Sequence, residues 1–396
     1  MIRLFTLLLV MFVLQSCYVV RAYKYRQFNL KDLDKMDAVA LKPSDTPFVF
    51  AYNTAKYAPL TAFLDSNLQG SQTYAFLVIR NDSIIYERYF GSVTDSSKLP
   101  SFSVAKSFVS ALTGIAIEEG HIKNVHDPVT AYLPSLRNVD AGYDQVTVQH
   151  LLDMRSGVKS NENYSNPFSD VLKMGFARSV TRTALNTKLE DAPGTFDYRS
   201  VNTQLLAMVI EKATGRSLQE YAMEKLWAPL GMEYMASWND DKKNHVRAFC
   251  CINAAARDFA KFGMLYLKNG LWQGKQVVPS SWIKKSVHPD TLRMYGNYKN
   301  QWWSDVNRTS FTDYEKAKDF AAQHPQSQVR PMEPENRPPY YLVQYPSGAY
   351  HAEGILGQYI YVNPAKNLVI VRMGQNWSHP SQYAQGFIYN LGAFIK

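Results

Sequence analysis

Metal and thiol chemistry have little to draw on in this chain. Its 396 residues include three cysteines and eight histidines, and none of them cluster at the spacing of a ligand set. Neither a metal nor another cofactor is expected. No His-Glu-x-x-His occurs, which excludes a zincin. No Gly-x-Ser-x-Gly occurs, which excludes the strand-to-helix nucleophile of the α/β-hydrolases. Basic residues exceed acidic ones for a net charge of +9, yet they form no block, so the excess reads as a basic surface without a nucleic-acid footprint. Internal repeats are missing. The apolar stretch Leu4 to Leu14 is too short to span a bilayer comfortably.

What is present is ordinary globular material, 46% hydrophobic and 13% aromatic, enough for one large domain or two intimate ones. The short apolar run follows Met1-Ile2-Arg3, the layout of a secretory signal. Leu14-Gln15-Ser16-Cys17 then resembles the lipobox of bacterial lipoproteins, whose cysteine becomes the acylated first residue. On this reading residues 1–16 are a signal peptide, Cys17 carries lipid and 17–44 form a tether. The protein is then exported to the bacterial cell envelope and held at a membrane by its anchor. The adjacent Cys250 and Cys251 are expected as small buried residues on opposite sides of a strand, because a disulfide between neighbours is strained.

An N-terminal helix is expected near Leu60–Leu68. Two β-rich runs, Tyr74–Ile79 and Ile84–Phe90, flank a turn at Asn81-Asp82 and read as a hairpin. Residues 121–245 are mainly helical. They include Val146–Gly157, Thr203–Thr214 stopped at Gly215, and Ser217–Leu226, where Ser217 and Glu220 form a capping box. Asn253–Leu267 is helical again. Gly357–Asn363 and Asn367–Met373 make a second hairpin, and a last helix covers about Tyr383–Ile395. Strands at both ends of a helical middle predict an α+β fold. One antiparallel sheet is built from both termini and flanked by helices, with an all-helical subdomain inserted. The polar, proline-rich stretch 304–340 is a candidate lid or rim, or a passive insertion.

The chain is organised around Ser103-Val104-Ala105-Lys106, which opens a strongly apolar helix closed at Gly120. A helix apolar nearly all round is usually buried. Residues three apart share a face, so Lys106 sits beside the Ser103 hydroxyl in or near a core. Burial lowers the pKa of an amine, and such an amine can take the serine's proton. The same spacing recurs at Ser156/Lys159, across a glycine stop, and at Ser281/Lys284, on an exposed-looking helix. Context favours Ser103. A second element, Pro193-Gly194-Thr195-Phe196-Asp197-Tyr198-Arg199-Ser200, ends in a helix, and places a tyrosine where it can shuttle a proton, with phenolate character accessible beside a cationic lysine. A third, His351-Ala352-Glu353-Gly354-Ile355-Leu356-Gly357-Gln358, brings glycines into a strand. A backbone amide there can join that of Ser103 in an oxyanion site.

In this order the three elements resemble the serine β-lactamase-related hydrolases. That family includes class C β-lactamases, D-alanyl-D-alanine carboxypeptidases, related esterases and 6-aminohexanoate-dimer hydrolases. The likeness covers roughly residues 45–396, taken as the catalytic domain. It extends to Val148–Gly157 and to Ala256-Arg257-Asp258-Phe259-Ala260-Lys261-Phe262-Gly263. It implies a β-lactamase/transpeptidase-like fold, Ser103 as nucleophile, Lys106 as its base partner, Tyr198 as proton relay and an acyl-enzyme intermediate. Ser200, Tyr164, His351, Gly354 and Ile355 are the implied substrate-side and oxyanion positions. Two departures stand out. Tyr-x-Asn is here Tyr198-Arg199-Ser200, nearer the 6-aminohexanoate hydrolase and esterase variants. The basic-residue triplet aligns with Ala352-Glu353-Gly354, with His351 one place early, which argues against strong β-lactamase activity. The function expected is an exported serine hydrolase of small amides or esters. The alternatives are a penicillin-binding-type peptidase or β-lactamase, or a lipoprotein that binds or senses without turnover.

Overall fold

The computed structural model describes residues 18–24, 30–241, 243–288, 297–377 and 384–395. The signal segment and Cys17 lie outside them. Strands β1 (Ala38–Leu41) and β2 (Ala51–Tyr52) precede the hairpin β3 (Thr73–Arg80) and β4 (Ser83–Tyr89). Strand β5 (Leu99–Pro100) leads into the helix Ala105–Glu118. After the helical middle come β6 (Ala236–Asn239), β7 (Ile252–Ala254) and the small hairpin β8 (Leu271–Trp272) and β9 (Lys275–Gln276). The chain closes with β10 (Asn297–Lys299), β11 (Trp302–Phe311), β12 (Gln328–Met332), β13 (Tyr340–Gly354), β14 (Gln358–Asn363) and β15 (Leu368–Gly374).

The main sheet runs β10-β11-β13-β14-β15-β3-β4-β2, with β12 also paired to β13. Its pairings are antiparallel apart from β2 with β4. The pairing of β15 with β3 sets the last hairpin against the first, as the strand pattern predicts. Strand β3 is apolar on both sides because both faces of the sheet are covered. Phe76 and Val78 join Leu60, Leu64, Leu68, Phe387 and Leu391 under the helices Ala58–Leu68 and Ala384–Phe394. Ala75, Leu77 and Ile79 face the other core, with Val109, Leu112 and Phe259 of the helices Ala105–Glu118 and Ala256–Leu267. Every residue from Ala105 to Ala116 is buried, at roughly 1.5–3 kcal/mol for each large apolar side chain. That explains why this helix lacks a polar stripe.

Local signals hold where the chemistry is local. Gly120 and Gly215 take φ of 75° and 69° at helix ends, a conformation that costs glycine little. Ser217 and Glu220 form the expected capping box. From 121 to 235 the described chain is helix and turn, with only isolated bridges such as Pro128–Thr147.

The differences fall where partners are distant. The segment expected as a tether carries the helix Tyr18–Lys24, which packs on the helix Asp170–Phe176, and strand β1, which pairs with β6 in a second sheet ordered β1-β6-β7-β5. Asn253 lies in β7, not in the following helix, which starts at Ala256. The proline-rich stretch, expected as a lid, rim or passive insertion, has regular structure of its own. It forms β11, the helix Tyr314–Ala322 capped by Asp313, and β12, all built onto β13. Pro331 is accommodated because β12 is an edge strand.

Candidate active site

Pro100 ends β5 against Asn253 of β7. The Ser101 amide then donates to the Ile252 carbonyl at 2.7 Å, and the Ile252 amide donates to Ser101 Oγ at 3.0 Å. Phe102 is forced to a φ of 44°, sparsely populated for an aromatic residue and worth about 1–3 kcal/mol of strain. Ser103 follows on a short 3-10 turn, and the α-helix begins at Ala105. The end of β13 presses on this turn from above. A Cβ on Gly354 would lie 2.5 Å from the Ser101 carbonyl oxygen, so this position needs glycine for closeness of approach.

The buried Lys106 Nζ donates to Ser103 Oγ at 2.9 Å and to the Phe249 carbonyl at 2.8 Å. Burial drives its pKa down to about 7, against a smaller upward pull from the Glu162 carboxylate. An amine at that pKa is substantially neutral at physiological pH and can accept a proton. The same nitrogen stands 5.1 Å from the centre of the Tyr198 ring.

Tyr198 is presented by a loop tied down elsewhere. The Asp197 amide donates to the Met154 carbonyl at 2.8 Å, the Gly194 amide to the Arg155 carbonyl at 2.8 Å, and Ser156 Oγ bonds to Asn202. The Val148–Gly157 phrase therefore acts as the anchor of the tyrosine loop. The Tyr198 ring stacks on Trp303 at 5.9 Å and meets the edge of Tyr298 at 5.6 Å. Burial, with Glu162 and Glu353 adding to it, holds its pKa well above the usual tyrosine value, against a downward pull from the neighbouring Ser103 hydroxyl. Tyr198 is thus a neutral phenol near pH 7. Burial therefore favours the neutral phenol over the phenolate character expected beside a cationic lysine.

A cavity of about 1010 Å³ opens over this turn, lined by Ser103, Tyr164, Ile355 and Leu356 among others. Tyr164 and Ile355 thus reach the site. Arg372, fully buried, donates to the carbonyls of Leu356 and Gly357 and stiffens that wall. Gln358 Nε2 donates to the carbonyls of Ile355 and Gly374 at 3.2 and 2.6 Å, which gives the Gly-Gln pair its structural purpose.

Two expected positions turn elsewhere. Ser200 is buried under the helix start, and both its amide and its hydroxyl donate to Glu162. His351 pairs in register with Tyr361 and lies 5.9 Å from the Tyr359 ring, both part of the core on the far side of the sheet. Ala352, one residue on, faces the Ser103 side, as strand alternation requires. Burial alone would lower the pKa of His351. Asp305, 2.9 Å from Nδ1, and Glu353 together raise it to about 9.

Sequence reasoning missed Glu162, which accepts from the Ser200 amide at 3.0 Å and from the Tyr164 hydroxyl at 2.8 Å. It stands two residues before Tyr164, and a carboxylate next to a candidate substrate tyrosine was a usable signal. The Phe249 carbonyl had none. Cys250 and Cys251, expected as separate buried residues on opposite sides of a strand, are instead joined by a disulfide. They sit on a turn before β7, where no strand alternation separates them, and Cys251 has a φ of 74°.

The family model described as Beta-lactamase matches residues 62–388, and the chain belongs to that family. It is a serine hydrolase by that membership and by its relatives. It is 28% identical over 266 residues to a 6-aminohexanoate-dimer hydrolase of Paenarthrobacter ureafaciens, covering 62% of this chain and 67% of that one. A solved structure described as a putative 6-aminohexanoate-dimer hydrolase from Bacillus anthracis is 25% identical, with a TM-score of 0.66 over 94% of this chain and 92% of that one. A class C β-lactamase structure, 17% identical with a TM-score of 0.57 over 87% and 99% of the two chains, shares the fold.

Proposed function

We propose that this hydrolase cleaves small amide or ester bonds through an acyl-enzyme on Ser103. The observation that carries the reading is the buried Lys106 amine, 2.9 Å from Ser103 Oγ with a pKa near 7. The neutral amine takes the Ser103 proton as Oγ bonds to the substrate carbonyl carbon. The resulting oxyanion is received by backbone amides at Ser103 and about Ile355. Tyr198, a neutral phenol, gives its proton to the leaving amine or alcohol as the carbon–heteroatom bond breaks and regains one from Lys106. Water then releases the acid by the reverse relay.

Neither His351 nor Ala352 lines the cavity, and the His351 imidazole is turned to Asp305. No basic side chain of β13 therefore supports binding of a substrate carboxylate there, which favours substrates without a carboxylate beside the scissile bond over β-lactams. The likeness to proteins named 6-aminohexanoate-dimer hydrolases supports an amide. We also propose export with a lipid anchor on Cys17; the Cys250–Cys251 disulfide is in keeping with an oxidising compartment. A fluorophosphonate probe should label Ser103, with label and turnover of a p-nitrophenyl ester both lost in Ser103→Ala. Turnover that survives Ser103→Ala would overturn the reading.

A further inference from the structure

The carbonyl that receives Lys106 belongs to Phe249, and the next two residues are the joined cysteines. The bond closes a small ring around the peptide link between Cys250 and Cys251, which fixes ψ of Cys250 and φ of Cys251, and the Phe249 peptide plane just outside the ring is held by its own N–H, the Cys250 amide, which donates to the Arg247 carbonyl at 3.1 Å. The outer atoms of that ring are tied down as well. Trp238 Nε1 donates to the Cys250 carbonyl at 2.9 Å and to the Arg247 carbonyl at 3.1 Å, and the Asn239 amide donates to the Cys251 carbonyl at 3.0 Å. Ile252, the next residue, holds Ser101 of the Ser103 turn. Both cysteines line the same cavity as Ser103, where a small thiol reagent can reach them.

We propose that the Cys250–Cys251 disulfide is a positioning element of this site: it fixes the Phe249 carbonyl, and through it the Lys106 amine on Ser103. The inference rests on the Ser103–Lys106 reading above. The groups facing the amine are the Ser103 hydroxyl, the carbonyl and ring of Phe249, the Tyr198 ring and, at longer range, the Glu162 carboxylate. Of these, the Phe249 carbonyl alone is set by the bonded pair. Opening the bond lets this carbonyl drift. The amine then loses aim, and its protonated form loses an acceptor, so the acid limb of the rate profile moves to lower pH.

The test compares oxidised protein, protein reduced with dithiothreitol, and the double variant Cys250→Ser with Cys251→Ser. In the reduction two thiols of the reagent give two hydrogens to the cysteine sulfurs, the S–S bond breaks, and the reagent closes to its cyclic disulfide. The expected result is ester turnover slowed roughly tenfold to a hundredfold in kcat, with KM little changed and the acid limb below its oxidised position. Both return on reoxidation of the wild-type protein. An unchanged kcat and limb with the bond shown open by mass spectrometry overturns the proposal, as does a limb that moves to higher pH. So does loss of the near-UV circular dichroism signal in parallel with rate in the reduced wild-type protein, since the bond then holds the fold and not the amine. Should the oxidised protein take no fluorophosphonate on Ser103, the parent reading fails first.

Discussion

Removing water from an ammonium group disfavours its charge, so the Lys106 amine keeps its place by giving up its proton near neutrality. The unfolded chain holds that proton up to about pH 10.4. Between the two values the unfolded state binds more protons, and stability from this group rises with pH. Below pH 7 the folded protein carries a buried cation, a burden of up to about 5 kcal/mol. Methionine has a similar length and no charge. Lys106→Met is therefore expected to abolish ester turnover and, at pH 6, to raise unfolding stability by roughly 1–4 kcal/mol. The gain should shrink on the way to pH 10. Urea titrations at both pH values check this, and a variant less stable at pH 6 would mean that the amine is not desolvated.

At the scale of elements, the site is an agreement between the end of β13 and the turn after β5. Gly354→Ala puts a methyl 2.5 Å from the Ser101 carbonyl, and either the strand or the turn must give way. The expected outcome is about 1–3 kcal/mol of destabilisation and a larger fall in kcat than in melting temperature. Gly386→Ala, in an uncrowded helix position, should instead be neutral or stabilise by up to about 1 kcal/mol. A Gly354→Ala protein with full kcat would separate the strand from the chemistry. What could be read in the sequence divides along the same line. The hairpin β3–β4, the buried helix after Ser103 and the Ser217 cap are set by neighbours in the chain, and their patterns stand in the residues. Strand β1 has four residues and a partner past the helical middle, so nothing local marks it. Ser103, Lys106 and Tyr198 are legible as spaced side chains. The Phe249 carbonyl is backbone and carries no residue type to recognise.

For the molecule as a whole, the two faces of the sheet hold titrating groups that pull stability in opposite directions. On the Ser103 side, Lys106 has a folded pKa near 7, far below its unfolded value, so the stability it contributes rises with pH above 7. On the far side, Asp305 and Glu353 raise His351 to about 9 from an unfolded value near 6.5. The stability it contributes is complete below about pH 6.5 and is lost as pH climbs through 9. Each changes the proton balance by one, so between pH 7 and 9 their slopes, roughly 1.4 kcal/mol per pH unit and of opposite sign, nearly cancel. Breaking one group should expose the other. His351→Gln is expected to cost about 3 kcal/mol more at pH 6 than at pH 10 and to turn the flat stretch into a rise with pH. Lys106→Met should turn it into a fall. Because the two groups lie on opposite faces and share no direct partner, the double variant should restore the flat profile, with nearly additive effects. Matching profiles for wild type and His351→Gln across pH 6–10 would show that the imidazole is not charged in the folded protein, and would remove the Asp305 pair from the forces that join β11 to β13.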